Sequence, residues 1–394
     1  MDLDQARWLV GPDARAALQR AAALTDPGSL AAAERMRREL SPNRAALVLT
    51  QEGLRRRAVT KFGEAGRSLF LTADGLEQAT RPEVAAWRAR RLADAGVRRV
   101  IDLGCGLGAD ALAFAASGLE VVAVEADPAT AVLAGANLGR EVIVGDAVEL
   151  LDALVSTGST DEGSTGGGST AVFCDPARRT SSGRSWRVQD LNPPWSFVTD
   201  LLARHTTVVK LGPGLAHNLI PDGVAATWVS DGGDLVEVSL WSGRTPGRHA
   251  VLLPGDHVLD DGPAHPATPG TPQPGEVLYE PDPAVIRAGL VDVLADGLGA
   301  HRISPGIAYL IGPKRRSTPF ATAFEVLEVL DAGERTLRAW VRVHQVGTLE
   351  IKKRGLDVDP AVLRRRLKPS GPNSATIVLT PTSDGARAIV VSRF

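Results

Sequence analysis

The chain has 394 residues, 44% hydrophobic and 23% charged, with a net charge of −2. That length exceeds one ordinary core and suits two or three domains, and the balance excludes a disordered or fibrous chain and one coated throughout by nucleic acid. Acids at Asp2 and Asp4 stand where a secretory leader would be basic, and no apolar run is long enough for a bilayer, so a cytoplasmic protein without a membrane partner is expected.

Residues 1 to about 95 read as an N-terminal helical lobe. Leu18, Leu24, Leu30, Met36, Leu40 and Leu47 are interleaved with Ala and Arg, and Ser41-Pro42-Asn43 marks a break between helices. From Val97 short apolar runs alternate with helical segments, as in parallel βαβ units. The runs lie at 99–103, 120–124, 141–144, 171–174 and 207–211, with helices over 109–117 and 128–138, which predicts a doubly wound parallel sheet within 96–245. Two more runs, 225–229 and 235–241, are joined by Asp231-Gly232-Gly233-Asp234 and predict a hairpin at the end of that domain. Residues 156–170 are Ser, Thr and Gly with two acids and predict a flexible loop, and Pro- and Gly-rich 246–275 reads as a linker. The last region, 276–394, reads as a small α+β domain with strands at 326–329, 339–343, 376–379 and 388–391 and helices near 282–296 and 359–367.

The segment most informative about chemistry is Asp102-Leu103-Gly104-Cys105-Gly106-Leu107-Gly108-Ala109, a glycine turn between a strand and a helix, where a ligand can approach the backbone. Gly104, Gly106 and Ala109 also satisfy the dinucleotide fingerprint, so a nicotinamide or flavin enzyme is a rival reading. Charge separates the two. A pyrophosphate on this turn would meet the carboxylate of Asp102, whereas S-adenosylmethionine carries an ammonium and a sulfonium that such a carboxylate favours. Glu125, followed by Ala126, ends the second run, where an acid can accept from both ribose hydroxyls. Asp146, followed by Ala147, comes after the third, within reach of an adenine amine and with a backbone amide for the ring. Each acid could equally cap a helix.

Asp102 through Gly108 resembles the first motif of class I methyltransferases, Glu125 and Asp146 their next two acids, and Asp175-Pro176-Ala177-Arg178 their fourth motif. The resemblance implies a Rossmann-like seven-stranded methyltransferase domain that uses S-adenosyl-L-methionine and no metal. Asp175 is then placed to orient the acceptor or take its proton, Pro176 to stiffen the turn, and Arg178 to close the motif. Methyltransferases of base amines usually carry Pro and an aromatic residue where this chain has Ala and Arg, which makes an exocyclic adenine amine a poorer acceptor here. Cys174 alternates to the other side of its strand and reads as core. Lys210, before Leu211-Gly212-Pro213-Gly214, ends the fifth run at the same cleft as a substrate contact, a plain tight turn being the alternative. Lys61-Phe62 and residues 71–81 read as a lid in which Gln78 and Thr80 meet the cofactor, or else as a capped helix.

From Arg335 to Phe394 there are twelve Lys or Arg and four acids, a local balance of about +8. Such concentration fits a phosphate backbone, with Lys352, Lys353 and Arg354 as candidate substrate contacts and Arg364–Arg366 and Lys368 on a following helix, or simply a solvated face. The arrangement of the whole chain resembles a bacterial family of class I methyltransferases with a THUMP-like domain, and that likeness implies an RNA partner. A methyltransferase of protein or small molecules, or a cofactor-binding regulator without turnover, are the alternatives.

Overall fold

A computed structural model describes residues 1–157, 169–178, 188–265 and 267–394. The loop expected over 156–170 lies mostly outside the described residues, as does Arg179. The chain divides into two compact units, Met1–Ala225 with Glu237–Pro246, and Ala226–Val236 with Gly247–Phe394.

The first unit begins with helices α1 (Leu3–Val10), α2 (Pro12–Ala22), α3 (Leu30–Arg37), α4 (Pro42–Phe62), α5 (Ala73–Gln78) and α6 (Pro82–Asp94). Local chemistry sets their ends. Asp2 and Gln5 form a reciprocal cap on α1, and Ser41 caps α4 just where the sequence predicts a break. The apolar faces of α1–α5 share one core of Ala6, Leu9, Leu18, Met36, Val48, Leu54 and Leu71, which also takes in Leu107 and Leu133.

The sheet follows through β1 (Val97–Leu103), α7 (Ala109–Ala116), β2 (Glu120–Glu125), α8 (Pro128–Leu138), β3 (Ile143–Val144), α9 (Ala147–Ser156) and β4 (Ser169–Cys174). A short pair, β5 (Ala177–Arg178) and β6 (Leu191–Asn192), precedes α10 (Trp195–Arg204) and β7 (Thr207–Leu211). Next come β8 (Ala225–Asp231) and β9 (Asp234–Trp241), joined by Gly232 and Gly233, both at positive φ, as the predicted hairpin requires. Within the first unit the strand order is β9-β7-β4-β1-β2-β3. The last five strands pair in parallel and β9 runs antiparallel to β7. This order is the Rossmann-like arrangement expected. Side chains of β1, β4 and β7 are buried almost throughout, as parallel strands covered on both faces must be.

The second unit corrects three expectations. Residues 246–275 are not merely a linker, because β10 (Gly247–Leu253) and β11 (His257–Asp260) form an antiparallel pair there. After β12 (Val277–Pro281) the expected helix over 282–296 is broken by Gly289 into α11 (Pro283–Ala288) and α12 (Val291–Leu298). Then come β13 (His301–Arg302), β14 (Leu310–Gly312), β15 (Ala321–Asp331), α13 (Glu334–Val343), β16 (Val346–Lys353), α14 (Pro360–Leu367), β17 (Asn373–Thr382) and β18 (Gly385–Arg393). The third correction is α13, which occupies the strand expected at 339–343. Its buried residues Leu337, Trp340 and Val341 have helical spacing, and a short Ala-Trp-Val run cannot by itself tell helix from strand. The strand order is β13-β14-β12-β15-β18-β17-β16. Helices α13 and α14 cover one face around Ile351, Ile377 and Val390, and Tyr309, Ile311, Phe324 and Val378 form a core on the other.

Candidate functional site

The glycine turn follows β1 in the first unit. Gly104, Gly106 and Gly108 have φ of 81°, 55° and 87°, a region side chains disfavour. A Cβ at Gly104 or Gly106 would meet no atom within 4 Å, so those two glycines leave open space above the turn. Cys105 lies in the turn, and its amide and that of Gly104 donate to the Val124 carbonyl at 2.9 Å each. The Gly106 amide donates to Glu125 Oε2 at 2.9 Å, and Glu125 Oε1 accepts from the Asp127 amide at the same distance. The acid that ends β2 is thus fixed beside the turn, each oxygen keeping acceptor capacity. Ala126 is exposed next to it. Asp146 is exposed and caps α9 by accepting from the Val148 amide at 2.7 Å, with Ala147 as the first helical residue.

Asp102, 1% exposed, has no hydrogen-bond partner on either carboxylate oxygen among the described residues. Burial, and then the nearby charges of Asp110 and Asp175, push its carboxyl well above the usual carboxylate range. An orphaned, buried acid beside an open glycine turn lacks a positive partner, and an ammonium-bearing ligand would supply one. A phosphorylated ligand would worsen the imbalance. The donor set therefore fits S-adenosylmethionine better than a dinucleotide.

Around Asp102 lies a charged network that the sequence reading did not assemble. Arg88 of α6 is fully buried and donates to Asp110 and, through two bonds of 2.6 and 2.7 Å, to Glu237. Its guanidinium also lies 4.9 Å from the Phe173 ring centre. Burial opposes the charge on Arg88, but Asp110 and Glu237 hold its pKa above the usual value. Ser239 donates to Glu237 at 2.5 Å. Thr80 donates to Asp110 at 2.5 Å and accepts from Lys210 at 2.9 Å, and Lys210 also donates to Asp175. A continuous chain thus runs from Glu237 through Arg88, Asp110, Thr80 and Lys210 to Asp175. The hydrogen-bonded chain joins three carboxylates, Asp110, Glu237 and Asp175, to two cations, Arg88 and Lys210, and Asp102 stands beside it without a hydrogen-bond partner among the described residues. Burial works against the charge on Lys210, yet Asp175, Asp110 and Glu237 keep its pKa raised.

Thr80 is therefore a buried link of this chain, whereas Gln78 is exposed at the end of α5. Lys61 donates to the carbonyls of Leu76 and Glu77 at 2.9 and 3.1 Å and so fastens that helix. The segment lies against the glycine turn: a Cβ at Gly75 would come 2.4 Å from the Leu107 side chain. Asn137 of α8 binds the Leu107 carbonyl at 3.0 Å and both backbone groups of Phe70, at 2.7 and 3.0 Å. Asp175 and buried Pro176 follow β4, and Cys174 is buried, as read. Arg178 lies in β5, its side chain outside the described residues.

In the second unit Lys352 donates to Glu280 at 2.6 Å and sits 5.3 Å from the Phe324 ring centre. Arg354 lies 5.1 Å from that of Tyr309, and Lys353 is exposed. Arg364, Arg365 and Arg366 are exposed along α14. The three candidate contacts are thus not equivalent, because Lys352 already has a carboxylate partner.

Residues 321–393 match a family described as THUMP domain-like, and residues 2–58 match a domain of unknown function. The chain is 33% identical over 364 residues to an uncharacterized S-adenosylmethionine-dependent methyltransferase of Mycobacterium tuberculosis. That alignment covers 89% of this chain and 96% of the relative, and the protein of strain H37Rv matches equally. The crystal structure of a candidate methyltransferase from Porphyromonas gingivalis W83 superposes over 100% of this chain and 99% of that one, with a TM-score of 0.75 at 22% identity. At that identity the likeness is one of fold.

Proposed function

From the premise that this chain belongs to the S-adenosylmethionine-dependent methyltransferases, we propose that it methylates RNA, with the first unit performing the chemistry and the basic THUMP-like unit supplying affinity. The observation that carries the RNA reading is the coincidence, in one small sheet domain, of the THUMP-like match over 321–393 with twelve basic residues against four acids from Arg335 onward.

When bound, the cofactor supplies an electrophilic methyl group on a sulfonium. Asp102 accepts from its ammonium, and the backbone of Gly104, Cys105, Gly106 and Gly108 leaves room for its methionyl end. Glu125 and Ala126 bind the ribose, and Asp146 and Ala147 the adenine. Residues 71–80, pinned by Asn137 and Lys61, cover the turn and shed water from it, with Gln78 at the rim.

Asp175 and Pro176 follow β4 at the carboxyl edge of the sheet, where doubly wound folds place their ligands. Asp175 orients the acceptor and takes its proton where the acceptor must lose one, and Arg178 closes the motif. Lys210 holds Asp175 in place, and its charge opposes the burial that raises the Asp175 pKa. Positioning contributes most of the rate, since in-line displacement asks chiefly for aligned reacting atoms. The test is mass spectrometry of RNA nucleosides from a strain lacking the protein. Loss of one methylated nucleoside, restored by the wild-type gene and not by Asp175→Asn, is expected, and an unchanged nucleoside profile would overturn the reading.

A further inference from the structure

The sequence Lys314-Arg315-Arg316-Ser317-Thr318 lies upstream of the basic region considered so far. In the second unit this loop, which follows β14, borders a cleft of about 270 Å³ together with β15 and the end of β18. Arg315, Arg316, Arg393, Ser317, Thr318 and Phe394 line it, and no acidic side chain does among the described residues.

The loop is built to hold its shape. The buried Tyr279 donates its hydroxyl to the Lys314 carbonyl at 2.9 Å and accepts from the Arg316 amide at 2.7 Å. The Arg316 guanidinium donates to the Gly297 carbonyl at 3.1 Å, which anchors the loop. Arg315 lies exposed, 4.6 Å from the centre of the Phe394 ring, which is itself 52% exposed. Arg393 lies 5.7 Å from the Phe324 ring centre, and Lys352 approaches the same ring.

We propose that this cleft is a binding site for single-stranded RNA, in which Arg315 and Arg393 hold successive phosphates, Ser317 and Thr318 add hydroxyl donors, and Phe394 stacks one base. An acid-free cleft lined by three guanidiniums suits the sugar-phosphate backbone, and an exposed ring beside it suits an unstacked base, which a duplex does not offer. The proposal rests on the RNA reading above and adds a place and a strand form to it.

The experiment measures binding of a labelled single-stranded RNA 12-mer, and of the same sequence as a duplex, by fluorescence anisotropy over a salt series. It uses the full-length wild type, Arg315→Gln with Arg393→Gln, Phe394→Ala, and a triple Arg364, Arg365 and Arg366→Gln variant, each checked for an unchanged melting curve. The wild type should prefer the single strand. Loss of both cleft arginines should lower the steepness of log affinity against log salt by about 1.4, at 0.7 per single-strand phosphate contact. Phe394→Ala should weaken the single strand roughly tenfold with little change in steepness. Wild-type affinity and salt dependence in the cleft variants, with loss only in the α14 variant, would overturn the cleft while sparing the RNA reading. Wild-type protein that binds neither RNA form would overturn both.

Discussion

Asp102→Asn should move cofactor affinity and ligand-free stability in opposite directions. The side chain is 1% exposed and both oxygens are orphaned, so its charge is a cost to the ligand-free protein and a gain only when a cation arrives. Its folded pKa is raised, so the unfolded chain ionises first as pH rises. Stability therefore falls from the usual carboxylate range upward through the raised folded value. An amide of the same shape does not ionise, so the variant should melt higher at neutral pH and lose that part of the pH dependence. For binding, a hydrogen bond between charged partners contributes about 1.5–3 kcal/mol, so S-adenosylhomocysteine should bind roughly ten- to a hundredfold more weakly. Calorimetry measures the affinity, and thermal melts from pH 5 to 8 measure the stability. In the wild type, affinity should rise with pH as the carboxyl ionises. A variant that binds as tightly as the wild type, or that is less stable without ligand at every pH, would refute the reasoning.

Arg88→Met should be among the most damaging substitutions in the protein, because Asp110 and Glu237 would be left buried without their cation. A loss of about 3–5 kcal/mol is expected in urea unfolding, and a loss under 1 kcal/mol would contradict the network. Gly106→Ala places a methyl in the open space above the turn at a strained φ, so cofactor affinity should collapse while stability falls by only about 1 kcal/mol. Calorimetry beside thermal melts separates the two effects. Lys210→Met removes the charge that opposes the upward shift of Asp175, so the acid limb of the rate profile should move to higher pH. An unmoved limb in a variant that retains activity would show that Asp175 does not act through ionisation.

The doubly wound sheet was legible because its strands are short apolar runs spaced by helices, and the glycine turn because left-handed backbone there excludes most other residues. The acids near the turn were legible from chain order alone. The charged network was not, because its members are distant in sequence: Glu237 reaches Arg88 across 149 positions. A signal was nonetheless present, since Arg88 lies on the face of α6 that buries Val84, Ala85 and Leu92, and Glu237 interrupts an apolar strand. Asp110 stands two residues past the first motif, yet only tertiary contact with Arg88 and Thr80 reveals its part. In the second unit, α13 was misread because Ala339–Val343 is too short a run to show its period, which Leu337 just before it supplies. The strands at 247–260 were obscured by flanking Pro and Gly that terminate them.

The most direct measurement follows tritium from methyl-labelled S-adenosylmethionine into bulk cellular RNA taken from a strain without this protein. Label should enter RNA with wild-type protein, vanish with Asp175→Asn, and fade with the combined loss of Arg315 and Arg393. Label recovered in protein or small molecules, with none in RNA, would contradict the account.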